Sequence, residues 1–226
     1  MWTRGEDMGK YDALLASSLQ GLGITFDGAQ MVQLNAYIAE LELWNPTYKL
    51  VGAQGDELIT KHIIDSLSAV PTMLELLQTY GADAKIADLG SGAGLPGIPL
   101  AIALKDYNVT LVERMERRVG FLCNALATCR LTGRVSVLDK DLKEVDQTFD
   151  LITFRAFRPL YDILDLVKPI LSDDGVVCAY KAQASSLAEE LQKVESQCTC
   201  KWFHTEVPLE VPYLDAERML CLLKKN

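Results

Sequence analysis

The feature that most constrains this chain is a run of glycines between two apolar segments, over residues 85–104. Glycine stands at positions 90, 92, 94 and 97, between an apolar run ending at Leu89 and another beginning at Ile98. The first run predicts a short buried strand and the second the first turns of a helix. A glycine-rich turn of this kind lets a ligand contact backbone N–H groups at the positive end of the helix dipole. The sequence therefore predicts a nucleotide-sized ligand site at this turn.

From residue 81 onward, short strand patterns alternate with helical patterns. The predicted strands cover residues 85–89, 109–112, 135–138, 150–154, 175–180, 199–206 and 218–223. The clearest helical patterns between them cover residues 115–129 and 184–195. Short strands joined by helices indicate an α/β fold with a doubly wound, mostly parallel sheet, whose ligand crevice lies at the carboxyl ends of the strands. The last two strands, joined by a loop through Pro208 and Pro212, predict an antiparallel pair at one edge.

The segment before the sheet has a different pattern. Apolar side chains recur at helical spacing through most of it, until Pro71 interrupts the pattern. Thr72 is expected to cap the short helix that follows the proline. We therefore expect an N-terminal helical extension over residues 1–80 and a ligand-binding core over residues 81–226.

Composition sets the broad class of the protein. A chain of 226 residues, of which 49% are hydrophobic and 23% charged, fits one globular domain with an appendage. Its polar start and the absence of an apolar run near ~20 residues predict neither a signal peptide nor a membrane span. The six cysteines include one close pair, Cys198 and Cys200, without the spacing of zinc or redox sites. We therefore expect reduced thiols, no metal and a cytoplasmic location.

Two classes of ligand fit the glycine turn. Gly92-x-Gly94-x-x-Gly97 matches the fingerprint of dinucleotide-binding turns, which is a weak signal alone. Residues 88–94 also match the Asp-x-Gly-x-Gly-x-Gly loop of S-adenosylmethionine (SAM) enzymes. The carboxylate of Asp88 suits a cationic ammonium or sulfonium group better than a pyrophosphate. The long helical segment before the loop also favours SAM, because many dinucleotide folds begin near their fingerprint.

Glu113 ends the second predicted strand. An acid at that position is placed to accept hydrogen bonds from both ribose hydroxyls of an adenosine. SAM and NAD both carry this ribose, so Glu113 indicates a nucleoside and does not choose between the two cofactors.

Several separated segments form an ordered set of motifs. They are LELWNPTYKLV at 41–51, KHIIDSL at 61–67, DLGSGAGLPGIPL at 88–100, RRVGFL at 117–122, FDLITFRA at 149–156, YK at 180–181 and VPYLDAER at 211–218. Together they resemble the bacterial RsmG (GidB) family of small-subunit ribosomal RNA methyltransferases, from about residue 31 to the last strand. The chain departs from the family's motifs at Lys49, at 141–143 and at Ala182. The second departure removes a carboxylate from the expected adenine subsite.

The resemblance implies a Rossmann-like methyltransferase with a seven-stranded sheet, which transfers a methyl group from SAM to N7 of a guanine in 16S rRNA. N7 has an exposed lone pair, so no general base is required and no catalytic residue is assigned. Arg155 and Lys181 are candidates for positioning the reactants. The expected cofactor-binding residues are Asp88, Gly90, Gly92, Gly94, Leu95, Glu113, Leu142, Lys143 and Arg155.

The net charge of −9 argues mildly against general binding to nucleic acid. An acidic protein that acts on RNA must gather its basic residues on one face. We expect an RNA-binding patch formed by Lys61, His62, Arg117, Arg118 and Arg158. His62 and Asp65 could equally form a helical pair that only stabilises the N-terminal layer.

The expected partner is 16S rRNA, either in the 30S subunit or in an assembly intermediate, and the expected state is a monomer. Two other classes stay open from the residues alone. One is an NAD-dependent oxidoreductase, for which the glycine loop and Glu113 would serve, although the chain has no persuasive hydride-transfer group such as a Tyr-x-x-x-Lys pair. The other is a nucleotide-sensing module without catalysis.

Overall fold

The computed structural model describes residues 9–226. Seven strands form one sheet: β1 (Lys85–Leu89), β2 (Asn108–Glu113), β3 (Val135–Asp139), β4 (Phe149–Arg155), β5 (Leu171–Lys181), β6 (Trp202–Pro208) and β7 (Met219–Lys225). Their order in the sheet is β3-β2-β1-β4-β5-β7-β6. Strands β1 to β5 pair in parallel, and β7 runs antiparallel to both of its neighbours. The predicted mostly parallel sheet and the antiparallel pair at its edge are confirmed.

Helices cover both faces of this sheet. They are α1 (Asp12–Gly21), α2 (Gly28–Tyr48), α3 (Asp56–Leu58), α4 (Asp65–Leu67), α5 (Val70–Tyr80), α6 (Gly97–Ala103), α7 (Glu116–Thr128), α8 (Leu160–Val167) and α9 (Ala184–Gln197). A π-helical segment, Ile59–Ile64, joins α3 to α4. Among the described residues, no helix combines the length and the apolar content that crossing a membrane requires.

Three expectations about where elements begin are wrong by more than one residue. Strand β5 begins at Leu171, four residues earlier than predicted. Thr72 caps no helix, because α5 begins at Val70 and holds Pro71 in its first turn, where a missing N–H costs nothing. Strand β6 begins three residues later than predicted. The backbone N–H of Thr199 and its hydroxyl instead donate to Asp165 on α8, which ties this segment to the helix rather than to the sheet.

The core divides into two apolar layers on opposite faces of the sheet. Alternate residues of β1 serve the two layers, since Ile86 packs with the first and Ala87 with the second. The first layer contains buried side chains from the N-terminal helices together with α6 and α7. The second contains those of α8 and α9. The sheet is therefore buried on both faces, as a parallel sheet requires.

The N-terminal helices are joined to the glycine turn by polar contacts as well. The Tyr37 hydroxyl on α2 donates to the backbone oxygen of Ala93 at 2.6 Å, and the Gln30 amide donates to the oxygen of Ile102 at 2.8 Å. Helix α2 therefore supports the segment that the sequence singles out for ligand binding. The first eight residues of the predicted extension lie outside the described residues, and its division from the core at residue 80 stays a prediction.

Candidate cofactor and substrate site

The glycine turn joins β1 to α6 and has three residues in the left-handed backbone region, Gly90, Gly92 and Gly94 (φ 66°, 58° and 82°). Residues that carry a side chain rarely adopt this backbone conformation. A Cβ atom at Gly90 would overlap the ring of Phe157, and one at Gly94 would lie 2.6 Å from Ile98. At Gly92 the nearest atoms would be 3.7 Å away. Packing therefore accounts for Gly90 and Gly94, whereas a Cβ atom at Gly92 would make only ordinary van der Waals contacts, so packing alone does not account for this glycine.

Asp88 lies beneath this turn and is fully buried. Its Oδ2 accepts a hydrogen bond from the N–H of Gly97 at 3.1 Å, so the carboxylate already occupies the start of α6. Its Oδ1 has no hydrogen-bond partner among the described residues. Burial raises the pKa of this carboxyl to about 7. A pyrophosphate at this helix start would face a carboxylate, whereas a cationic group near the turn would be attracted by it.

Glu113 is brought to the same turn from the end of β2. Its Oε2 accepts from the N–H of Gly92 at 2.9 Å, and its Oε1 accepts from the N–H groups of Arg114 and Met115, each at 2.9 Å. The guanidinium of Arg118 lies 3.7 Å from Oε2. The fold thus unites two predicted cofactor residues, Gly92 and Glu113, that are far apart in the sequence.

The expected adenine subsite at residues 141–143 is a short 3₁₀ turn, Leu142–Glu144. Asp141 caps this turn, because its side chain accepts from the N–H of Lys143 at 3.2 Å. Leu142 is buried in the second apolar layer, and Lys143 is exposed. Asp141 therefore stabilises this turn. Contact of the turn with adenine stays a prediction. Contact of the buried Leu95 with the cofactor stays a prediction as well.

A cavity of about 590 Å³ lies at the carboxyl ends of β4 and β5. Its lining includes Arg155, Phe157, Tyr180, Lys181, Glu190 and Arg218. Phe157 also covers Gly90, so the cavity adjoins the glycine turn. The preceding residue, Ala156, has a φ of 50°, a conformation that costs energy for a residue with a side chain and is concentrated at functional sites.

One wall of the cavity is a buried ion cluster that the sequence analysis missed. The Asp65 carboxylate is 4% exposed; its Oδ2 lies 2.6 Å from Nη1 of Arg155 and its Oδ1 lies 2.8 Å from Nε of Arg218. The sequence contained one indication of this cluster, because Asp65 directly follows the apolar pair Ile63 and Ile64. A carboxylate on a buried helix face requires a cationic partner. Nothing in the sequence says which arginines supply it.

The residues of the predicted basic patch differ in their exposure and in their ion pairs. Arg117, Arg118 and Arg158 are exposed. Lys61 is exposed too, but it pairs with Glu57 at 2.7 Å. His62 is partly buried, and its Nδ1 lies 3.3 Å from Nη2 of Arg155.

His62 therefore cannot serve the patch as a cation. Burial, together with the charge of Arg155, lowers the pKa of His62 from 6.5 to about 4. The imidazole is neutral at pH 7, and it contributes to the cavity wall rather than to a positive surface.

Replacing His62 is expected to change how stability depends on pH. The folded state favours the neutral imidazole, so its contribution is fully present above the unfolded pKa of 6.5 and is lost as the pH falls towards 4. His62→Gln is therefore expected to show a shallower loss of unfolding free energy between pH 6.5 and pH 4 than the wild type. Urea unfolding at a series of pH values measures this loss, with His204→Gln on β6 as the control. Parallel curves for wild type and His62→Gln would contradict the assignment.

The parallel sheet with its antiparallel edge, the glycine turn after β1 and the acid at the end of β2 define the fold class of SAM-dependent methyltransferases. Solved structures agree. The precorrin-6y C5,15-methyltransferase of Geobacter metallireducens superposes with a TM-score of 0.52 at 15% identity, over 79% of this chain and 92% of that chain. The tRNA (m1A58) methyltransferase of Aquifex aeolicus superposes with a TM-score of 0.51 at 15% identity, over 70% of this chain and 69% of that chain. These likenesses are of fold alone.

The sequence comparisons are more specific. Residues 30–221 match the family model described as rRNA small subunit methyltransferase G. The protein of that name from Polynucleobacter asymbioticus is 34% identical, over 94% of this chain and 95% of its own. Its namesake from Burkholderia pseudomallei is 36% identical, over 92% of this chain and 88% of its own. The chain belongs to this family.

Family membership confirms the predicted resemblance, the methyltransferase class and SAM as the cofactor. A further methyltransferase of the same fold was solved with S-adenosylhomocysteine bound, at a TM-score of 0.50 and 14% identity. The two alternatives, an NAD-dependent oxidoreductase and a sensing module without catalysis, find no support in these comparisons.

Proposed function

We propose that this protein transfers the methyl group of SAM to N7 of a guanine in 16S rRNA. The observation that carries the proposal is the match of residues 30–221 to a family named for methylation of small-subunit rRNA. The open glycine turn and the neighbouring cavity supply places for the two reactants.

The cofactor would bind in the space above the glycine turn. SAM supplies an electrophilic methyl group on a sulfonium when it is bound. Gly90, Gly92, Gly94 and Leu95 would border the cofactor, although their N–H groups already donate to Val112, Glu113 and Ser91. The negative charge of Asp88 beneath the turn would favour the ammonium group of SAM. Glu113 would accept hydrogen bonds from the ribose hydroxyls in place of some of the backbone N–H hydrogen bonds that it now accepts.

The substrate guanine would bind in the cavity at the carboxyl ends of β4 and β5. Its volume of about 590 Å³ suits a single nucleotide that has been taken out of a base stack. N7 is nucleophilic without deprotonation, so the chain must align the base with the methyl group and exclude water. Arg155 is fixed for such positioning, because Asp65 holds its guanidinium from behind at 2.6 Å. Lys181 also lines the cavity and is the second positioning group.

The remaining basic residues of the patch are expected to bind rRNA phosphates. Replacing Arg117 and Arg158 with alanine should weaken binding to the 30S subunit and lower the slope of log affinity against log salt by about 1 for each residue. The SAM affinity should stay unchanged, since Arg118, which lies near Glu113, is left in place. Filter binding from about 50 to 200 mM salt measures the slope.

Lys85→Ala is the matched control for this experiment. Lys85 is also exposed, but it lies at the amino end of β1, whereas the cavity lies at the carboxyl ends of β4 and β5. Equal slopes for the double variant and for Lys85→Ala would exclude the patch from the RNA interface.

We further infer that the natural substrate is the 30S subunit or one of its assembly intermediates, and that the protein works as a cytoplasmic monomer. Methyl transfer from labelled SAM to isolated 30S subunits, 50S subunits and protein-free 16S rRNA tests this choice. Label in the 30S sample alone is the expected result, and label in the 50S sample would contradict the proposal. Sedimentation of the protein tests the monomer.

A further inference from the structure

Lys181 and Glu190 form an ion pair in the wall of the cavity. Lys181 ends β5 and Glu190 lies on α9; the Nζ–Oε2 distance is 2.6 Å, and the side chains are 13% and 18% exposed. Removing both charges from water carries a desolvation penalty, which two apolar side chains of similar volume would avoid. A contribution to folding stability therefore explains this ion pair poorly. Its place in the cavity wall points instead to a role in recognising the substrate.

The Glu190 carboxylate is held in a fixed orientation. Its Oε2 also accepts the backbone N–H of Leu160, the first residue of α8, at 2.7 Å. Among the described residues, both hydrogen bonds of Glu190 fall on Oε2, so the two lone pairs of Oε1 are left to accept from a ligand. The cavity thus presents an ammonium group and, beside it, a carboxylate oxygen with free capacity.

This order of groups complements the Watson–Crick edge of guanine. That edge carries the O6 acceptor followed by the N1–H and N2–H donors. We propose that Lys181 and Glu190 form a guanine-reading pair, in which Lys181 donates to O6 and Glu190 accepts from N1–H and N2–H; the proposal rests on the proposed function. Adenine would place its amino group against the ammonium and its N1 acceptor against the carboxylate, so the same pair rejects it.

The reading pair also favours the reaction itself. The N7 lone pair forms the bond to the methyl carbon, the electron pair of the former carbon–sulfur bond stays on sulfur, and the base gains a positive charge while N1 keeps its proton. A carboxylate at N1–H and N2–H attracts this charge as it develops. Glu190 therefore binds the transition state more tightly than the ground state, which raises kcat as well as affinity.

The test compares guanosine with inosine at the methylated position of 16S rRNA in reconstituted 30S subunits. Inosine keeps O6 and N1–H and lacks the N2 amino group. The wild-type protein is expected to methylate guanosine about 10- to 100-fold faster than inosine under single-turnover conditions, because inosine leaves a charged acceptor with one donor fewer. In Glu190→Gln this ratio is expected to fall to about 1, since the amide group replaces an acceptor with a donor.

Glu190→Gln can still accept the Leu160 N–H through its amide oxygen, and the ratio is taken within one variant, so a change of stability cancels. Glu189→Gln is the control, since Glu189 is the exposed neighbour on α9, and it should keep the wild-type ratio. Where methylation by Glu190→Gln is too slow to time, the binding of both 30S substrates is compared by filter binding instead.

A guanosine preference that survives in Glu190→Gln, or a wild type that does not distinguish the two bases, would overturn the reading pair. Failure of the proposed function looks different, because the wild type would then leave the guanosine 30S subunit unmethylated.

Discussion

Gly92→Val is expected to bind SAM at least ~100-fold more weakly than the wild type, a loss of about 2.7 kcal/mol. A Cβ at this position meets no protein atom closer than 3.7 Å, so the valine side chain would project into the open space that we assign to the cofactor. The left-handed backbone that Gly92 adopts also resists a β-branched residue, and its N–H bond to Glu113 would be disturbed. Isothermal titration with S-adenosylhomocysteine measures the affinity.

Gly23→Val separates the loss of binding from the backbone strain. Gly23 follows α1 and has a φ of 68°, and a Cβ atom at this position would meet no other atom within 4 Å, so the strain resembles that at Gly92. Both variants are expected to lose stability, at roughly 1–2 kcal/mol or more for the left-handed conformation. Only Gly92→Val should lose affinity for the cofactor. Wild-type affinity in Gly92→Val would show that the ligand lies elsewhere.

Asp65→Asn is expected to lower the unfolding free energy by about 3 kcal/mol, which is the usual loss when one partner of a buried ion pair is removed. The carboxylate is 4% exposed and holds two guanidinium groups, those of Arg155 and Arg218. The asparagine amide would leave both positive charges facing each other without compensation. Urea unfolding at pH 7 measures the loss.

Asp56→Asn provides the comparison, because Asp56 is an exposed acid in the same helical region and should change stability by less than about 0.5 kcal/mol. The methylation rate of folded Asp65→Asn should fall as well, since Arg155 loses the group that orients it. Equal stabilities of the two variants would mean that the arginines find other partners and that Asp65 does not organise the cavity.

Much of the fold follows from short-range patterns. The apolar runs on either side of the glycine turn predict β1 and α6, and the alternation of strands and helices predicts the parallel sheet. The start of β6 could not be predicted, because Thr199 is drawn from the sheet by Asp165, which lies 34 positions earlier. Proline is tolerated in the first turn of a helix but not in its interior, which is why Pro71 lies in the first turn of α5 rather than ending a helix.

The site divides in the same way. The proximity of Gly92 and Glu113 could be predicted from the sequence, because Gly92 follows β1, Glu113 ends β2, and the carboxyl ends of neighbouring parallel strands meet. The cluster of Asp65 with Arg155 and Arg218 depends on pairings across 90 and 153 positions, and no local pattern records such pairings. Likewise, helical spacing places Glu190 beside the buried Leu187 and Val194, unlike the exposed Glu189, but no local pattern shows that it pairs with Lys181.

The same long-range pairing decides which charges reach the surface. Asp65 and Glu190 are buried or half-buried in ion pairs, whereas Arg117 and Arg158 are exposed. The net charge of the sequence alone does not show this distribution, and the RNA-binding patch stays a proposal.

Nucleoside analysis of the methylated RNA tests the central claim most directly. 30S subunits from cells that lack this protein would be incubated with the purified protein and SAM, and the 16S rRNA digested and analysed by mass spectrometry against authentic methylguanosines. The account predicts one new modified nucleoside, 7-methylguanosine, in an amount approaching one per subunit. A methyl group on another atom or another base, or no methyl transfer to 16S rRNA at all, would contradict it.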